Sequence, residues 1–208
     1  HARTQPRRHE TVMCRLMIAG LLLALLGTTA FAADGAWQVR TRLITVAPDG
    51  SGTRGLEGLD IKSDFTVEVD FSKFLTDRLA LELIVATASQ ELEIDGFSLG
   101  SVNHLPPTLT LQWHFMDQDA KFQPYIGAGL NATFFYGKSG AIDHLDLSTS
   151  FGLAAQLGAD WKVTDKTFFN VDLKYIDIST DVETKDGDEI GTADINPLVF
   201  GVGIGWRF

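Results

Sequence analysis

From Trp37 to the last residue, apolar and polar side chains alternate with a period of two, in runs longer than a soluble sheet normally uses. A run of about 5–6 residues is typical of soluble sheets, whereas these runs reach roughly the 9–11 residues needed to cross a bilayer obliquely. The clearest sets Phe65, Val67, Val69 and Phe71 against Asp64, Thr66, Glu68 and Asp70. Eight such strands are expected: Trp37–Val46, Ile61–Phe74, Leu79–Val85, Leu105–Phe115, Gln123–Phe135, Leu147–Trp161, Phe169–Tyr175 and Leu198–Phe208.

The connectors decide between a soluble sandwich and a membrane barrel. Those over Leu75–Arg78, Met116–Phe122 and Lys162–Thr167 are short, whereas Ala47–Asp60, Ser89–His104, Tyr136–Asp146 and Thr180–Asp194 are long and acidic. Long loops on one side, tight turns on the other and an even strand count with both termini on the short side are the plan of outer-membrane barrels. The expected fold is therefore an all-β, eight-stranded antiparallel transmembrane up-and-down barrel. Closure follows because a lipid-exposed sheet edge would leave unpaired N–H and C=O groups in hydrocarbon. Pro48, Pro106, Pro107, Pro124 and Pro197 fall at or near expected strand ends, where a missing donor is tolerated.

Ahead of the barrel, Met13-Cys14-Arg15 precedes the apolar run Leu16–Leu26, and Ala30-Phe31-Ala32 places small residues two apart at a cleavage point. This reads as a secretory signal over residues 13–32, cut near Ala32; the run is too short for a membrane-spanning helix. Residues 1–12 are polar and basic and read as a non-native or mis-annotated leader, which leaves residues 33–208 as the barrel. Setting aside Arg3, Arg7, Arg8, Arg15 and Glu10 reduces the totals of 17 basic and 27 acidic residues to 13 and 26, a net charge of −13. Such an exported acidic chain is a poor nucleic-acid binder. Without Cys14 it has no thiol, hence no disulfide and no cysteine-based metal site.

In an eight-stranded barrel the interior is just wide enough to be filled by side chains. Parity puts Arg40, Arg42, Glu68, Asp70, Glu82, Asp160, Asp172, Lys174 and Arg207 inside, a set that can pair ions in a polar plug. The same parity directs Ile44, Ile84, Tyr125, Phe135, Phe168 and Ile176 inward, with Phe74 and Val199. Apolar residues inside a water-filled lumen are unexpected, so these six are candidates for a solute pathway; core packing is the competing reading. Inward glycines Gly127, Gly129, Gly152, Gly158, Gly201, Gly203 and Gly205 either make room for solute or allow close backbone approach. Trp37, Trp113, Trp161 and Trp206 lie near short-turn ends, as an interfacial aromatic girdle requires.

His104, His114 and His144 raise the question of an enzyme, but no Ser-His-Asp arrangement is identifiable, and neither a catalytic residue nor a cofactor is expected. Asp181, Glu183, Asp186, Asp188 and Glu189 do not follow the calcium-loop spacing, so no metal site is expected.

Five segments resemble the OmpW family: Trp37–Arg40 (WQVR), Leu105–Phe115 (LPPTLTLQWHF), Phe122–Asn131 (FQPYIGAGLN), Asn170–Ile178 (NVDLKYIDI) and Ile195–Pro197 (INP) with the Gly-rich last strand. The resemblance spans essentially the whole chain after the signal. It implies an outer-membrane barrel with a narrow, largely apolar interior that admits small hydrophobic molecules. The terminal Phe208, with apolar residues at every second position before it, resembles the signal read by the outer-membrane assembly machinery. Membrane lipid, lipopolysaccharide and small apolar solutes are the expected partners. The alternative is a structural or adhesive barrel acting through its loops with a plugged lumen.

Overall fold

A computed structural model describes residues 37–49, 51–52, 59–61, 63–94, 97–184, 186 and 188–208. The expected leader and signal lie outside the described residues.

Eight strands close the barrel: β1 (Trp37–Ala47), β4 (Asp64–Phe74), β5 (Leu79–Ala86), β8 (Thr108–His114), β9 (Phe122–Tyr136), β11 (Ser150–Lys162), β12 (Thr167–Ile176) and β15 (Leu198–Arg207). Each pairs antiparallel with its neighbour, and β15 returns to β1 with Leu43 opposite Val202. Backbone bonds in both directions between Trp37 and Phe208 fasten the ends of the chain.

The pattern of burial is inverted relative to a soluble protein. Arg40 and Arg42 are wholly buried, whereas Leu43, Phe65 and Phe151 are 68%, 81% and 76% exposed on the outer wall. Such surface is stable against hydrocarbon rather than water, since each large apolar side chain moved out of water gains about 1.5–3 kcal/mol. Trp113, Trp161 and Trp206 project outward at the short-turn end, and Trp37 lies there beneath the Lys73 ammonium at 5.2 Å.

The expected long loops are largely β-structure. The second becomes a hairpin of β6 (Ala88–Ile94) and β7 (Phe97–Leu105), with β3 (Leu59–Ile61) paired on β6. The fourth becomes β13 (Ser179–Thr184) and β14 (Glu189–Asp194), joined by β10 (Leu145–Leu147) and β2 (Ser51–Gly52) in a second sheet. The expected strand Ile61–Phe74 accordingly divides between β3 and β4, and Leu147–Trp161 between β10 and β11. Charge in these segments concealed their alternation: Ser89 and Glu91 point outward while Ala88 and Gln90 point in.

The prolines fall at or near strand ends, as expected. Ile84 pairs with Thr108 and Ala88 with His104 in one register, so Pro106 and Pro107 occupy a gap between β7, which ends at Leu105, and β8, which begins at Thr108. The Pro107 carbonyl accepts from the Ala132 N–H of β9, so Pro107 addresses β9 and Pro106 addresses Ala86. There the ladder needs a donor that proline lacks. Pro197 makes a comparable break between β14 and β15. Beside it Asn196 takes a left-handed φ of 38°, and its side-chain oxygen accepts the Ile178 N–H at 3.0 Å in place of the ladder.

Candidate functional site in the barrel lumen

Alternating residues of all eight strands converge on the lumen, which divides into two zones along its axis. Toward the short turns lies a plug of four cations, Arg40, Arg42, Lys174 and Arg207, and five anions, Glu68, Asp70, Glu82, Asp160 and Asp172. These are the nine charged residues expected inside, and the structure brings them together. Arg40 donates to Glu82 at 2.7 Å, Asp70 at 3.2 Å and Asp160 at 3.3 Å. Arg42 donates to Glu68 at 2.5 Å and to the Asn170 amide oxygen at 2.6 Å, and lies 2.9 Å from Asp70. Lys174 bridges Glu68 and Asp172. Burying this many charges is tolerated only because nearly every carboxylate meets several donors.

Neutral residues complete the network. Gln156 and Thr110 donate to the second oxygen of Glu82 at 2.6 and 2.9 Å, and Asn170 donates to Asp160 and to the Tyr125 hydroxyl. At the short-turn mouth Arg207 donates to Gln38 and Gln123. None of these amides was among the expected site residues, although all share the inward parity that exposes them.

The six apolar candidates separate. Tyr125 and Phe168 belong to the plug: Tyr125 donates to Asp172 at 3.0 Å, and the Arg40 guanidinium lies 5.0 Å from the Tyr125 ring centre and 5.9 Å from that of Phe168. Their space is provided by glycine, because a Cβ at Gly158 would strike the Tyr125 ring and one at Gly205 the Phe168 ring. At these two positions the inward glycines accommodate protein side chains.

Ile44, Ile84 and Ile176 instead line a cavity of about 30 Å³ directly above the plug, with Pro106 in its wall and Glu68 at its boundary with the charged zone. Phe135, half-buried, lines a second cavity of about 60 Å³ among the hairpins, with Leu92, Val102, Val182 and Ile195. One cluster of buried residues, including Val46, Ile178 and Ala193, packs continuously past both. The upper cavity has Thr180 as its polar lining residue, and the lower one adds His104 and Thr108 to Glu68. The lumen is therefore a mostly apolar column standing on an ion-paired floor.

The chain matches the model of the OmpW family over residues 33–208. It is 34% identical to outer membrane protein W of Escherichia coli, the match covering 94% of this chain and all of that protein. It is 38% identical to an outer-membrane protein of Sinorhizobium fredii, y4mB, over 83% of this chain and 80% of that one. The crystal structure of the outer membrane protein OprG from Pseudomonas aeruginosa superposes with a TM-score of 0.74 at 28% identity, covering 84% of this chain and 96% of that chain.

Proposed function

This chain belongs to the OmpW family of outer-membrane barrels, and from that premise we propose that it is a conduit for small hydrophobic solutes entering through the hairpin end. The observation that carries this reading is the apolar column from Phe135 down to Ile44, Ile84 and Ile176. A solute leaving water for these walls gains about 25 cal/mol per Å² of apolar surface buried. A sugar would lose its hydration with no partners to replace it.

In this reading the short turns and both termini are periplasmic and the hairpins face outward. Phe208 serves recognition by the assembly machinery, and the four tryptophans mark the membrane interface. The plug leaves no straight path along the axis, so release occurs through the wall, at the ladder break opposite Pro106, which itself lines the lower cavity.

The test is uptake of a small apolar compound and a comparably sized sugar in cells lacking the protein and in cells complemented with it. Selective rescue of the apolar compound is expected. Rescue of neither, with surface assembly verified, would overturn the conduit and favour a structural or adhesive role of the hairpins.

A further inference from the structure

Among the polar side chains set within the mostly apolar column, which include His104, Thr108 and Thr180, one is a buried amide. In β6 the residues Ala88, Gln90 and Leu92 share the inward face; Ala88 lines the lower cavity and Leu92 the upper, so Gln90 stands between them. Its cross-strand partner Val102 also lines the upper cavity. Gln90 is 2% exposed, and its Nε2 finds no hydrogen-bond partner among the described residues.

In the plug, Gln156 gives its amide hydrogens to Glu82 and Thr110, and Gln123 to the backbone carbonyls of Gln118 and Ala120, whereas Gln112, whose carbonyl accepts from Arg40, shares with Gln90 an Nε2 without a partner among the described residues. A buried donor left unsatisfied is costly, and an apolar residue of similar size would pack there without that cost. The amide is therefore a liability to the fold that a passing solute can relieve.

We propose that Gln90 donates a hydrogen bond to solute in transit, so that the conduit selects small apolar molecules carrying one acceptor oxygen, such as a medium-chain ketone or ester, over bare hydrocarbons of equal size. The inference rests on the conduit reading and sharpens its substrate class. A ketone recovers at Gln90 the bond it gave up on leaving water. An alkane leaves the amide as it was, and a polyol brings more polar groups than the mostly apolar walls can satisfy.

The test uses the full barrel in phosphatidylcholine nanodiscs with ¹⁵N-labelled glutamine, its Gln90 side-chain NH₂ signal assigned by its loss in Gln90→Leu. Addition of 2-octanone shifts that signal and n-octane leaves it in place. In complemented cells, uptake of 2-octanone exceeds that of n-octane by about five- to tenfold after subtraction of passive entry, the scale of one hydrogen bond. Gln90→Leu and Gln90→Met, each checked for a folded barrel by gel mobility, abolish that preference and leave n-octane uptake unchanged. Uptake of both solutes in a ratio independent of residue 90, or equal shifts with both, overturns the role of Gln90 and leaves the conduit standing. Uptake of neither by the unaltered protein overturns the conduit and this inference with it.

Discussion

Replacing Arg40 by Met tests the plug as a structural unit. Arg40 contacts three carboxylates, and its loss leaves five anions facing three cations. Each anion retains a partner: Asp70 has Arg42 at 2.9 Å, Glu82 has Arg42 at 3.4 Å with Gln156 and Thr110, and Asp160 has Asn170 at 2.7 Å. Removing one member of a buried ion network costs about 3–5 kcal/mol, and the retained partners place this change near the lower bound, at about 3 kcal/mol. Urea titration of folding in phospholipid vesicles, followed by tryptophan fluorescence, reads the change as a lowered midpoint at unaltered slope. Pairing Arg40→Met with Glu82→Gln should recover part of the loss, with a coupling of about 1–3 kcal/mol. A loss under about 1 kcal/mol with no coupling would refute the plug as a dry, interdependent network.

The intact barrel should migrate faster unboiled than boiled on a denaturing gel; identical mobility in both conditions would contradict a closed barrel. Phe135→Asp or Ile176→Asp should impair apolar-solute uptake while the barrel still inserts, and unchanged uptake would remove that residue from the path. Pro106→Val restores the donor facing Ala86, so it should stabilise the barrel by about 0.5–1.5 kcal/mol for one ladder bond and slow uptake; an unaltered rate would place release elsewhere in the wall. Gly205→Val drives a side chain into Phe168 and should cost about 1–3 kcal/mol in the same urea titration.

Much of this molecule was legible because the strand has a period of two. Once Leu43, Phe65 and Leu111 are placed toward lipid, Arg40, Glu68 and Thr110 have only the lumen to occupy, and the charged residues of the plug follow from parity alone. What parity does not carry is height along the axis. Tyr125, Phe168, Ile44 and Ile176 read alike as inward residues, yet two pack against guanidinium groups and two line a cavity, because strand tilt and register decide which level each reaches. The hairpins were obscured for a different reason. Between Ala88 and Leu105 the outward face carries polar residues such as Ser89 and Glu91, so the segment reads as loop, and Gln90 was hidden with it.

Alternation along the chain, the connector lengths and the need to satisfy every backbone group in hydrocarbon were enough to require a closed eight-stranded barrel with a polar interior and an apolar wall. Only the registered barrel decided that the nine inward charges form one plug, that the apolar residues above it line one column, and that Pro106 lies in the wall beside it. Those outcomes depend on residues from strands distant in sequence meeting at one height, and relative height is set by pairing between strands, which no single strand's pattern contains.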